Sequence, residues 1–190
     1  MKHNNPTRML TTLSVLTAFS IVLMLLIHFP IFPAAPYLEY EPMDVPILIA
    51  GFVYGPLAGI AVTIVSSLIQ GLTVSAAVGG WVGILMHFIA SGTLVIVASF
   101  IYRKNHSLKG AIIGLIAGTI AMAAIMIPAN LIFTPVFNGI PVDAVKALLL
   151  PIIIPFNLVK AGINAVVTFI IYKPLRRFVI KNVSKKTVTS

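Results

Sequence analysis

The sequence predicts an all-α integral membrane protein with six transmembrane helices, both termini cytoplasmic and a long outer loop between helices 1 and 2. Three observations carry that expectation. Of 190 residues, 59% are hydrophobic and only 9% charged, with a mean hydropathy of +1.07. A soluble domain carries about 25% charged residues, so the solvent for most of this surface is lipid. The apolar stretches come in lengths that match spans of about 20 residues. The charges segregate: three of the four acidic residues fall within Glu39–Asp44, whereas the basic residues collect at the other span ends. At that span length, 190 residues leave almost nothing outside the bilayer, so one membrane-embedded domain, 1–190, is expected.

Helix 1 is expected over Met9–Phe29, after Lys2 and Arg8, and Pro30, Pro33 and Pro36 end it. Ala34-Ala35 imitates a signal-peptide cleavage site, but the apolar run is long for an h-region of about 7–15 residues. Cleavage there would leave the same multi-span chain behind. The acidic loop follows. From Val45 to Tyr102 there are 58 residues without an Asp, Glu, Lys or Arg, and then come Arg103, Lys104 and Lys109. With acids outside and bases inside, an odd number of spans joins the two loops, and 58 residues fit three tight helices. Gly55-Pro56 and Gly79-Gly80 are the turns. Helix 2 is then Val45–Tyr54, helix 3 Leu57–Leu72 and helix 4 Trp81–Tyr102. Helix 2 is too short to cross upright, so it tilts or starts inside the bundle. Helix 5 is expected over Leu108–Phe133, an outer loop over Pro135–Asp143, and a last helix regular from Phe156 to Lys173. This arrangement puts 11 of the 13 basic residues inside and all four acids outside.

Gly110, Gly114 and Gly118 make a small-residue stripe on helix 5, and Gly51, Gly55 and Gly59 repeat the spacing around the first turn. Small residues allow close helix approach in lipid, either within the bundle or against another membrane subunit.

The chemistry that is missing narrows function. The net charge of +9 would suggest nucleic acid in a soluble protein, but here the bases sit at span ends, so no nucleic acid is expected. There is no cysteine, no G-x-x-x-x-G-K-[ST] and no H-E-x-x-H. The four histidines, His3, His28, His87 and His106, are too scattered to suggest a metal site. No Asp or Glu falls inside an expected span, whereas ion-driven carriers place carboxylates near the midplane. An enzyme is not expected, and neither metal nor cofactor. The chain either acts passively or a partner supplies the work.

Polar residues inside the membrane are functional candidates by default. Asn130 lies toward the outer end of helix 5. Asn157, Lys160 and Asn164 follow i, i+3, i+7 spacing, which puts them on one face of the last helix. Other readings stand beside this one: a lysine can snorkel, and asparagines can bond between helices. A lysine between two amides suits a neutral or weakly acidic ligand rich in hydrogen-bonding groups. Tyr37, Leu38, Tyr40 and Met43 of the acidic loop are apolar or aromatic and some could wall a flat ring, although the tyrosines, like Trp81, could instead be interfacial aromatics.

These residues carry a resemblance. Tyr37-Leu-Glu-Tyr-Glu-Pro-Met-Asp-Val-Pro46, Gly51-Phe-Val-Tyr-Gly-Pro-Leu-Ala-Gly59 and Pro155-Phe-Asn-Leu-Val-Lys-Ala-Gly162 together resemble the substrate-binding S components of energy-coupling-factor vitamin transporters, and among them the riboflavin-specific ones. The resemblance covers nearly the whole chain. It implies a flavin held near the outer face by the first outer loop and helices 4, 5 and 6. It implies as partners a membrane T subunit and two cytosolic ATPase subunits, and a multi-pass place in the cell membrane. By motif match, Asn130, Asn157, Lys160 and Asn164 become polar ligands of the flavin. Tyr37, Leu38, Tyr40 and Met43 become loop-side contacts, and Gly83 and His87 contacts from helix 4. Many such components carry Ala-x-x-x-Ala on helix 1 as the T-subunit contact. The matching pair here is Ser14 and Ala18, a departure that keeps a small residue in each place. Two alternatives remain at this point: an S component for another vitamin, such as biotin or pantothenate, whose carboxylate Lys160 could pair; and a membrane assembly factor that transports nothing.

Overall fold

The computed structural model describes residues 6–33, 35, 36, 38–74, 80–139 and 141–185, without the side chains of 138 and 176–185. The order is α1 (Pro6–Leu26), β1 (Phe29–Pro30), β2 (Glu39–Tyr40), α2 (Asp44–Tyr54), α3 (Pro56–Leu72), α4 (Gly80–Lys104), α5 (Leu108–Asn138), α6 (Val142–Leu148), a π-helical turn (Leu149–Ile153) and α7 (Ile154–Lys185). Four stretches are long and apolar enough to cross a membrane: Pro6–Leu26, Gly80–Lys104, Leu108–Phe137 and Val142–Leu175. The other two apolar helices are shorter. At about 1.5 Å per residue, α2 spans about 16 Å and α3 about 25 Å.

The short helix α2 starts inside the bundle, as its length requires, and nine of its 11 residues are buried. It packs on α1, α3, α4 and α7. Gly55 turns the chain at φ 97°, a left-handed value that favours glycine, and Pro56 opens α3 with the φ a first helical turn needs. Ser107 caps α5, its Oγ accepting from the Gly110 N–H at 3.0 Å.

Several expected boundaries move. Helix α5 does not stop at Phe133: it runs through Pro135 to Asn138 and ends on Gly139 at φ 64°. A proline removes one backbone bond, which lipid-embedded helices tolerate where neighbours resatisfy the freed group. The expected loop Pro135–Asp143 is therefore mostly helix. The last helix begins earlier than Phe156, with α6 and the π-helical turn leading into it, and it passes Pro174 to reach Lys185. Pro151 lies in the π-helical turn and Pro155 directly after it, inside one continuous helical run.

The segment between α1 and α2 is a folded cap. Phe29 and Pro30 pair antiparallel with Tyr40 and Glu39, and the Phe29 and Tyr40 rings lie 5.4 Å apart. Ala35 and Leu38 of this segment join Val145, Ile152, Ile153 and Phe156 in a small apolar cluster. The main core, around Leu48, Leu94, Val95, Leu115, Tyr102 and Tyr172, lies between α2, α4, α5 and α7.

The glycine stripes are spent inside the bundle. A Cβ on Gly114 would stand 2.6 Å from the Ala98 carbonyl oxygen, and one on Gly118 would stand 2.8 Å from that of Leu94. A Cβ on Gly51 would overlap Ser99. These positions let α4 approach α5 and α2 at backbone distance.

Candidate functional site

Residues four apart on a helix form one ridge. On α5 the ridge reads Gly110, Gly114, Gly118, Met122, Met126, Asn130, Thr134. Its glycine half is closed on α4 or on the turn before α5. Its second half stands off, and the side chains from Met122 onward line a cavity of about 550 Å³. Ligand sites in proteins run about 300–1,000 Å³ and are mostly apolar with a few placed polar groups.

The cavity has that make-up. Leu38, Val74, Val82, Met86, Met122, Met126 and Phe156 supply apolar wall. Asn130, Thr134, Asn157, Lys160, Gln70, Glu39, Glu41 and His87 supply polar groups from α5, α7, α3, the cap and α4. The two asparagines are held by the same device. Asn130 Nδ2 donates to the Met126 carbonyl at 2.8 Å, and Asn157 Nδ2 donates to that of Ile153 at 2.8 Å. One N–H bonded a turn back fixes each amide and leaves it a second N–H. Thr134 Oγ1 also donates to Asn130 Oδ1 at 3.1 Å.

Lys160 does not snorkel. It is 7% exposed, and its ammonium sits 2.5 Å from Glu41 Oε1, with the Glu39 carbonyl 3.4 Å away. Gln70 Nε2 donates to the same Glu41 oxygen at 3.2 Å. One turn along α7, Asn164 is fully buried. Its Nδ2 donates to the Glu41 carbonyl at 3.1 Å and to Asp44 Oδ2 at 3.0 Å, while Tyr40 donates its hydroxyl proton to Asn164 Oδ1 at 3.1 Å. Burial raises the pKa of the Tyr40 phenol above its ordinary value, and the Asp44 and Glu41 carboxylates add to the rise, which keeps it a donor. His87 bridges Ser67 at 2.6 Å and Ser91 at 2.9 Å, with Asp44 Oδ1 3.7 Å from its Nε2. The acidic segment is thus stitched to the polar face of α7 and, through Gln70 and His87, to α3 and α4.

Of the residues expected from sequence at the site, Leu38, Gly83, His87, Asn130, Asn157 and Lys160 line the cavity. Tyr40, Met43 and Asn164 are buried beside it but do not line it. Tyr37 lies outside the described residues. Ser14 and Ala18 are both exposed on α1, the Ser14 hydroxyl donating to the Leu10 carbonyl at 3.0 Å. The acidic segment is taken out of water. Glu41 and Asp44 are 2% and 0% exposed, and Asp44 belongs to the first turn of α2. Sequence reasoning also passed over Gln70, Met122 and Met126. Gln70 had a signal, since Ser66, Ser67 and Gln70 form a polar face in an otherwise apolar helix. The methionines had one as well, because they continue the glycine ridge. Among the described residues, no group of three metal-ligating side chains comes together.

Comparisons with known proteins agree with this architecture. Residues 8–172 match the family model for the ECF transporter, substrate-specific component. The riboflavin transporter FmnP of Bacillus subtilis (strain 168) is 34% identical over 178 residues, 90% of this chain and 93% of that protein. The riboflavin transporter RibU of Staphylococcus aureus (strain TCH60) is 34% identical over 175 residues, 89% of this chain and 90% of that protein. A solved S component of a bacterial ECF transporter superposes with a TM-score of 0.80 at 34% identity, covering 92% of this chain and 99% of that one. The family is a substrate-binding component of transporters and these relatives are named as transporters, so the chain is not an enzyme and a substrate, not a cofactor, is what it holds. With the match running over 8–172 and apolar helices throughout, this chain belongs to the substrate-specific components of ECF transporters.

Proposed function

We propose that this chain binds riboflavin at the outer face of the cell membrane and mediates its uptake. The observation that carries the reading is the cavity of about 550 Å³, with apolar walls for a flat ring and the amides of Asn130 and Asn157 beside Lys160 for a hydrogen-bonding edge and hydroxyl chain. The riboflavin names of relatives matching about nine-tenths of the chain support it. Leu38, Gly83, His87, Asn130, Asn157 and Lys160 contact the flavin. Tyr37, Tyr40, Met43 and Asn164 complete the contact.

The chain forms one membrane-embedded unit, 1–190, of six spans, with α6, the π-helical turn and α7 together making the sixth. Both termini are cytoplasmic, and the cap lies outside. Lacking a P-loop motif of its own, it works with a T subunit and two ATPases, and the exposed Ser14 and Ala18 of α1 meet the T subunit.

The deciding experiment is to purify the chain in detergent, record its visible spectrum and identify released ligand by mass spectrometry. A flavin spectrum with riboflavin released supports the reading; a biotin or pantothenate ligand, or none after added riboflavin, defeats it. Topology is testable because the chain has no cysteine. Asp143→Cys should react with an impermeant thiol reagent on intact cells, and Asn105→Cys should not. The reverse pattern would invert the site.

A further inference from the structure

The reading of the cavity as a flavin site leaves its charge selectivity unassigned, and the inference below rests on that reading. Among the described residues, three charged ones line the cavity: Glu39, Glu41 and Lys160. The one cation among them is already engaged. Lys160 Nζ lies 2.5 Å from Glu41 Oε1, with the two side chains 9% and 3% exposed. Gln70 holds the same carboxylate oxygen from α3 at 3.2 Å. Glu39, which also lines the cavity, gives Lys160 its carbonyl oxygen and brings a second carboxylate to this residue set. With histidine counted as neutral, the wall carries one net negative charge. Asp44, fully buried behind His87, adds a second. Lys146, on α6, is 60% exposed at its side chain and pairs with Asp143.

We propose that Glu41 is the charge-selectivity residue of this site. By occupying Lys160 it keeps the cavity net negative, so an uncharged flavin is admitted and a flavin carrying a phosphate monoester is held off. Without Glu41, the buried ammonium would attract the phosphate. A phosphate monoester carries about −1.5 to −2 charges near neutral pH. At an effective dielectric of about 20, one unit charge about 10 Å from such a group changes affinity roughly a hundredfold, and screening by solvent and salt reduces that to about tenfold or more.

The test measures binding of riboflavin and of riboflavin 5′-phosphate to the full chain in detergent, read by quenching of flavin fluorescence. The native chain should prefer riboflavin by about tenfold or more. Glu41→Gln should shrink that preference by about fivefold or more, whatever it does to riboflavin affinity itself. Glu39→Gln should shrink it too while leaving the ion pair in place. The double variant Glu41→Gln/Lys160→Met removes both partners and keeps the net charge, so it should keep the native preference. Equal binding of the two flavins by the native chain overturns the proposal, as does a preference unchanged in Glu41→Gln. Should Glu41→Gln not fold, Glu39→Gln and the double variant decide the question in the same way. A native chain that binds neither flavin defeats the flavin reading and this inference together. Riboflavin binding with a preference indifferent to charge defeats the inference alone.

Discussion

The two ends of the helix bundle are built on opposite principles from the same helices. At one end α4 and α5 close through Gly114 and Gly118, and Phe52, Tyr102 and Tyr172 pack their rings at 4.7–5.6 Å, with the Tyr172 hydroxyl donating to that of Tyr102 at 2.9 Å. At the other end the helices part, and buried Glu41, Asp44, Gln70, His87, Asn130, Asn157, Lys160 and Asn164 gather around the opening. The closed end is held by contact and by area removed from solvent. The open end is held by partnered charges and amides. Polar groups taken out of water are tolerable only when partnered, so the open end is where function and stability share residues. At the closed end they are separate.

The strongest way to break this contrast is to orphan a charge at the open end. Lys160→Met leaves the Glu41 carboxylate buried without its cation. Losing one partner of a buried pair costs about 3–5 kcal/mol, so thermal unfolding in detergent should come at a markedly lower temperature. The double variant Glu41→Gln/Lys160→Met should recover most of that loss. If Lys160→Met unfolds like the native chain, the pair is not what holds the cap to α7.

At the closed end, Gly114→Ala drives a Cβ to 2.6 Å from a backbone oxygen, which only helix separation can relieve. Overpacking of this kind costs about 1–3 kcal/mol. The unfolding temperature should fall, and the riboflavin affinity of the folded fraction should stay as it was. A change in affinity with stability intact would mean the two ends are coupled.

Asn130→Leu sharpens the contrast from the other side. It removes an amide from the cavity and adds apolar area that the bundle tolerates. Riboflavin affinity should drop about tenfold, the equivalent of about one hydrogen bond, with a small change in unfolding temperature. Equal affinity would show that Asn130 serves only Thr134 and its own helix. The smallest effect is expected for Tyr172→Phe. Losing its donation to Tyr102 should cost about 0.5–1.5 kcal/mol of stability and nothing in binding.

How far the site was legible depends on what kind of signal each residue gives. Asn157, Lys160 and Asn164 announce themselves because polar residues at i, i+3, i+7 in an apolar run can only share a face. Asn130 stands out as a lone amide in an apolar run. The residues that answer them do not. Glu41 and Asp44 lie in a short acidic stretch next to prolines, which reads as an outer loop with no partner for either carboxylate. Only the fold reveals that α7 takes both out of water. The boundary error at Pro135 has a physical cause: in water a proline ends a helix, and inside a bundle it need not. Pro174 is exposed, and the helix passes it without a structural explanation.

By itself the sequence determined the solvent, the class and the order of helices, because hydropathy, charge segregation and glycine spacing act along the chain and need no partner to be read. The i+4 ridge of α5 was likewise written in the chain, glycines first and methionines after. Tertiary structure alone decided that the ridge closes at one end and opens at the other, and that Asn164 lies beside the cavity while Asn157 lines it. It alone gave the lone ammonium of the cavity to Glu41. The last of these depends on residues 119 positions apart, Glu41 and Lys160. No periodicity along the chain encodes which of several carboxylates a buried lysine will meet; packing of the cap against α7 does.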